Sequence, residues 1–110
     1  MVDYSPDTLD LTFAALADGT RRSIMARLAA RGEMAVGELA QPLSISLQAV
    51  LKHVNVLVEA GLVARQKRGR TVHCRLQAGG MQAAAHWLAH YEKFWGERLD
   101  ALATFVEEEQ

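Results

Sequence analysis

The 110-residue chain has a single cysteine, Cys74, and only two prolines. One thiol excludes an intrachain disulfide, and such sparing use of cysteine fits a reducing, cytoplasmic setting. No apolar run approaches the ~20 residues of a membrane-spanning helix, so no membrane association is expected. The opening Met-Val-Asp-Tyr-Ser-Pro-Asp is acidic and lacks the charged-then-apolar pattern of a secretory signal. The hallmarks of enzyme chemistry are missing too. There is no glycine-rich phosphate loop, no serine/histidine/aspartate arrangement in a suitable context, no His-Glu-x-x-His, and no tight carboxylate pair on a predicted cleft. No catalytic residue and no cofactor is therefore expected. Half of the residues are hydrophobic, as in a folded chain, and the length suits one domain over residues 1–110.

A surplus of positive charge is also lacking, because the formal net charge is -1. Its distribution matters more than its sum. Residues 19–75 carry ten bases against three acids, a net +7. Residues 1–18 carry four acids and no base, and residues 76–110 six acids against two bases, so each end nets -4. A basic middle of this kind can bind phosphates although the whole molecule is not basic.

That middle contains the most informative stretch, Ser44 to Arg75. Ser46 is a good N-cap, since its hydroxyl can accept from an orphan backbone N–H. Val50, Val54 and Leu57 then recur at helical spacing on one side, and Gln48, Leu51, Lys52, Asn55 and Glu59 fall on the other. Gly61 ends this helix, predicted over 46–59, where a left-handed residue costs little. Leu62–Arg65 and Thr71–Leu76 read as two strands joined by Gln66-Lys67-Arg68-Gly69-Arg70, a basic hairpin turn. A helix followed at once by a basic hairpin is the reading end of a winged helix-turn-helix. The helix matches the width of the DNA major groove, and the wing, residues 65–75, can reach phosphates.

The remaining segments fit that frame. Helices are predicted over Leu9–Ala17, with Leu9, Phe13 and Leu16 on one face, and over Gly19–Ala30, capped by Asp18, with Ile24, Met25 and Leu28 inward. Val36–Gln41 is a short helix ended by Pro42. Gly79-Gly80 reads as a hinge. After it, Met81–Glu107 reads as one long helix. The fold class is thus mainly α with a small β-hairpin wing, the helical core and wing spanning about 9–77 and the long C-terminal helix about 80–107.

Along the last helix Met81, Ala85, Leu88, Trp95, Leu99, Leu102 and Val106 keep close to a 3.5-residue beat, widened by Trp87, Tyr91, Phe94 and Phe105. At 1.5 Å per residue it runs roughly 40 Å, more than a compact domain with a radius of gyration of ~13 Å can cover. The stripe therefore asks for a second copy of the chain. The competing reading folds this helix back over its own core with a break at Gly96.

Taken together these segments resemble a known family. Ala-Leu-Ala-Asp-Gly-Thr-Arg-Arg-Ser-Ile-Met-Ala-Arg-Leu (Ala15–Leu28) resembles the opening signature of ArsR-type bacterial winged-helix repressors. Met34–Ala40 and Ser46–Val63 continue the pattern in order, and the basic hairpin follows as the wing. His90–Leu102 is similar to a subgroup without an evident metal-binding motif. The resemblance covers nearly the whole chain. It implies a homodimer that occupies a roughly palindromic promoter operator and responds to a signal whose effector is unknown. It implies DNA contacts at Ser46, Leu47, Gln48, Leu51 and Lys52 and at the wing residues Lys67, Arg68 and Arg70; Asn55 is a further DNA-binding candidate on its own chemistry, because its amide, like that of Gln48, can pair bidentately with adenine. It further implies a dimer interface built from the first and last helices, here Leu9, Phe13, Leu88, Tyr91, Trp95, Leu99 and Leu102.

Departures from the family pattern shape the expectations. Ala35 stands where a capping threonine or serine is common, so the short helix should start poorly, and Gly19 replaces a common proline. Leucines at 47 and 51 favour apolar contact with thymine methyls over hydrogen-bonded readout, while Gln48 is placed to pair with adenine. The thiolate pair of metal-sensing members is absent from Met34–Leu39. His86 and His90 lie i, i+4 and form a weak metal candidate, but two ligands are too few, and Ala84 and Glu97 replace the family's other ligands. No metal is expected. Cys74 would serve as a redox sensor only with a lowered pKa, for which His73 and Arg75 are the neighbouring candidates. The alternative to DNA binding is a winged helix used as a protein-contact module.

Overall fold

The computed structural model describes residues 5–108. Met1–Tyr4, part of the acidic opening, and Glu109–Gln110 lie outside them. Five helices and three strands follow in the order α1 (Pro6–Leu16), α2 (Gly19–Arg31), β1 (Glu33–Ala35), α3 (Val36–Ala40), α4 (Leu47–Glu59), β2 (Val63–Arg68), β3 (Thr71–Leu76) and α5 (Ala78–Glu108).

Each helix boundary has a local cause. Helix α1 starts three residues earlier than expected, because Ser5 accepts from Thr8 N and Pro6 occupies the first turn, where its missing N–H costs nothing. Asp18 caps α2 by accepting from Arg21 N, and Gly32, at φ 87°, closes it. Ala35 has no hydroxyl to offer α3. Glu38 Oε1 instead accepts from Ala35 N at 2.9 Å, which is half of a capping box. At the other end Arg27 donates to the Leu39 and Glu38 carbonyls (2.8 and 3.0 Å), so this short helix is held at both ends. Ser46 Oγ accepts from Ala49 N at 3.1 Å to begin α4. The helix ends in a paired motif, Leu62 N to Leu57 O and Gly61 N to Val58 O, with Gly61 at φ 72°.

The sheet is antiparallel in the order β1-β3-β2. Strand β1, too short to carry a readable alternation, was not expected. It pairs Glu33, Met34 and Ala35 with Arg75, Cys74 and His73. Strand β2 runs three residues beyond the expected Arg65, leaving Gly69-Arg70 as the turn. Gly69 takes φ 63° and Arg70 a negative φ, as a type II′ hairpin turn requires. The buried core joins Ile24 and Leu28 of α2, Leu39 of α3, Val50, Val54 and Leu57 of α4, and Met34, Val63 and Cys74 of the sheet.

Two expectations about α5 are settled. Gly79-Gly80 is not a hinge but part of the first turn of a continuous 31-residue helix, which also passes through Gly96 unbroken. Gly80 N donates to Gly61 O at 2.8 Å, and a Cβ on Gly80 would overlap the Ala60 carbonyl oxygen, so only glycine fits this junction. Gly80, Ala83 and Ala84 are buried, while the stripe beyond them stays in solvent. The radius of gyration is accordingly 17.6 Å and the longest dimension 60 Å.

Candidate nucleic-acid interface

Helix α4 fixes the orientation of the expected reading residues. Its core side carries Val50, Val54 and Leu57, all fully buried. At 100° per residue, Gln48, Lys52, Asn55 and Glu59 project to the opposite side, and all four are exposed. Ser46 is committed to its cap. Leu47 is exposed because it begins the helix. Leu51 differs from expectation: it is half-buried and packs on the core rather than standing on the polar face. Its angular position, between the outward and core sides, explains this. Leu47 and Leu51 together line a cleft of about 270 Å³ whose other walls are Val36, Gly37 and, from the wing, Arg70, Thr71 and Val72. The helix and Arg70 are thus brought to one place.

Alternation sorts the wing. Val63, Arg65 and Lys67 share one face of β2, and Ala64, Gln66 and Arg68 share the other. Arg68 therefore does not stand with Lys67. Its guanidinium pairs with Glu33, Nη2 at 2.9 Å from Oε1 and Nη1 at 3.3 Å from Oε2, and donates to Gln66 Oε1 at 3.2 Å. Its charge is matched by a carboxylate on its own sheet.

The same sorting applies to the whole basic middle. Arg21, Arg22 and Arg27 donate to backbone carbonyls at helix ends, and Arg31 lies 3.5 Å from Glu38. Lys52, Arg65, Lys67, Arg70 and Arg75 have no ion-pair partner among the described residues. Arg65 was not singled out from the sequence. The two-residue spacing to Lys67 was the signal that could have found it.

Cys74 faces inward with Met34 and is fully buried. Burial pushes its thiol pKa up, opposed only by Arg65, whereas His73 and Arg75 alternate to the other face. A protonated, buried thiol is the opposite of what redox sensing needs. His86 and His90 meet edge to face at 5.1 Å, and His90 Nδ1 lies 3.0 Å from the His86 carbonyl oxygen. They lie on the side of α5 turned away from Leu88 and Trp95. No group of three potential metal-ligating side chains occurs among the described residues, and no described helix is long and apolar enough to cross a membrane.

The candidate interface residues on the terminal helices divide by position. Leu9 is half-buried. Phe13 packs edge-on against Trp87 at 5.7 Å, and Trp87 leads to Tyr91 at 5.0 Å. Leu88, Trp95 and Leu99 border a shallow groove of about 490 Å³ floored by Ala85, Ala89 and Gly96, and Leu102 continues their stripe, more than half exposed.

Helices α2, α3 and α4, a three-stranded sheet and a basic hairpin beside the outward side of α4 define a winged helix-turn-helix protein of the DNA-binding kind. A helix-turn-helix domain family matches residues 16–66. The HTH-type transcriptional regulator Rv2034 of Mycobacterium tuberculosis is 40% identical over 91% of this chain and 90% of its own. A crystal structure of the ArsR family transcriptional regulator RHA00566 superposes with a TM-score of 0.77 at 35% identity, covering 87% of this chain and 97% of that one. The homodimeric winged helix-turn-helix DNA-binding domain Mb0332 of Mycobacterium bovis, a possible ArsR-family regulator, gives 0.62 at 26% identity, covering 80% and 82%. The chain belongs to the ArsR family of winged helix-turn-helix regulators, and it is a DNA-binding transcriptional regulator.

Proposed function

We propose that the protein is a dimeric repressor, acting without catalysis and in the cytoplasm, that occupies a palindromic promoter operator. The observation that carries this reading is the placement of Gln48, Lys52 and Asn55 outward on α4 beside the unpaired cations Lys67 and Arg70. In this reading α4 enters the major groove. Gln48 reads an adenine edge, Leu47 meets a thymine methyl, and Lys52, Arg65, Lys67 and Arg70 hold phosphates. The apolar stripe of α5, with Leu9 and Phe13 of α1, is covered by a second copy. Two α4 helices then lie about 34 Å apart, one turn of duplex. The homodimeric relative Mb0332 supports that assembly. Repression follows from occupancy, since a dimer seated on a promoter excludes polymerase.

The test is a salt titration of duplex binding. Arg70→Ala should weaken binding to every duplex alike and lower the slope of log affinity against log salt by about 0.9. Gln48→Ala should weaken the operator by about 1–3 kcal/mol and leave unrelated duplex unaffected. A protein indifferent to salt and to both substitutions would overturn the proposal.

A further inference from the structure

Helix α1 is fastened to α4 at two points. Thr12 Oγ1, fully buried, donates to the Ala60 carbonyl at the end of α4, at 3.3 Å. Arg21 makes the other fastening. Its Nε and Nη2 donate to the Ala15 and Ala14 carbonyls in the last turn of α1, at 2.8 and 3.0 Å. Its Nη1 lies 3.3 Å from Nδ1 of His53, half-way along α4, and 4.0 Å from Asp18 Oδ2. Helix α1 in turn meets α5 through Phe13 and Trp87. One guanidinium therefore joins the helix that supports α5 to the core side of the helix that displays Gln48 and Lys52.

The chemistry of the pair is directional. A guanidinium only donates, so a hydrogen bond at this contact has His53 Nδ1 as the acceptor and the ring proton on Nε2. The neighbouring Arg22 is an internal control: it donates to the Leu16 carbonyl at 2.7 Å, capping α1 in the same way without reaching α4.

We propose that Arg21 is a positioning residue for operator recognition: acting through its contact with His53, it fixes how α4 sits relative to α1 and hence relative to α5. The inference rests on the DNA-binding reading above. It predicts a loss confined to specific binding. Sequence readout depends on the placement of α4, whereas non-specific affinity depends on phosphate charge that Arg21 does not supply.

The experiment measures binding of the full chain to an operator fragment recovered from genomic DNA and to unrelated duplex, with thermal stability and oligomeric state in parallel. Arg21→Gln should lower operator affinity by about tenfold or more, leaving affinity for unrelated duplex and its salt slope unchanged. Arg22→Gln should change operator affinity by less than about twofold. His53→Asn keeps a neutral acceptor near Nδ1 and should keep operator binding, whereas His53→Lys, which sets a cation against Arg21, should behave like Arg21→Gln. The His53 pair decides the matter if Arg21→Gln folds poorly. Equal losses in the Arg21 and Arg22 variants, or in both His53 variants, would overturn the proposal. So would an Arg21→Gln loss shared by unrelated duplex with a lower salt slope, which would make Arg21 a phosphate contact. A wild-type chain that prefers no duplex would overturn the DNA-binding reading and this inference with it.

Discussion

The body formed by residues 5–76 and the outer part of α5 use similar apolar side chains and treat them oppositely. In the body Ile24, Leu39, Leu57 and Leu62 have no exposed surface, while along α5 Leu88, Trp95, Leu99 and Leu102 keep 50–61% of theirs. Four of the chain's seven aromatic residues, Trp87, Tyr91, Phe94 and Trp95, fall within nine positions of α5, all exposed. The body closes on itself because helices pack on both sides of α4 and the sheet seals one end. Helix α5 leaves that body beyond the contact of Trp87 with Phe13, so among the described residues the outer stripe from Leu88 to Leu102 stays in solvent. Contiguous apolar surface of this kind marks an interaction site, and burying each such side chain is worth about 1.5–3 kcal/mol.

The sharpest way to break the contrast is to charge the stripe. Trp95→Glu with Leu99→Glu should yield a monomer in sedimentation whose body stays folded by circular dichroism, and operator affinity should fall by about a hundredfold or more as the second α4 is lost. Next comes the body itself. Leu57→Ala should cost about 2–5 kcal/mol, with a fall in melting temperature that does not depend on protein concentration. Leu102→Ala should instead lower the melting temperature only at protein concentrations where the wild type is dimeric, the difference vanishing on dilution. A smaller effect concerns the wing. Glu33→Gln should free Arg68 for phosphate, raising duplex affinity by up to about fivefold and steepening the salt slope by about 0.9. Unchanged binding would show that the Glu33–Arg68 pair does not restrain the wing. The smallest is the cap at Asp18, whose carboxyl is held below its ordinary pKa by the Arg21 backbone N–H. A lowered folded-state value contributes stability above the unfolded pKa and loses it as pH falls through the folded one. Wild type should therefore be more stable than Asp18→Ala at neutral pH, and the gap should close on acidification below about pH 4.

Periodicity and punctuation made most of the body legible. Asp18, Ser46 and Gly61 mark their boundaries through groups that act within one turn, so the sequence alone could place them. Strand β1 was not legible because three residues carry no pattern, and its existence depends on pairing with β3 forty residues away. Gly79 and Gly80 were misread for a similar reason: a glycine pair usually signals freedom, and only the contact with Ala60 and Gly61 reveals that it signals close approach. At the interface, composition located the basic segment but not which charges are available. That Arg68 is matched by Glu33 and Arg21 by carbonyls and His53 depends on side-chain reach across elements, which spacing does not encode.

The glycine junction at the root of α5 has one more consequence. With Gly80 against the backbone at Ala60 and Gly61, the helix has a fulcrum without slack, and residues 81–108 make an arm of about 42 Å beyond it. Each degree of tilt at the root sweeps the far end by about 0.7 Å on an arm of that length. A bulkier residue at position 80 would thus act as a wedge, re-aiming the arm by several ångströms at its tip while leaving every residue on it unchanged.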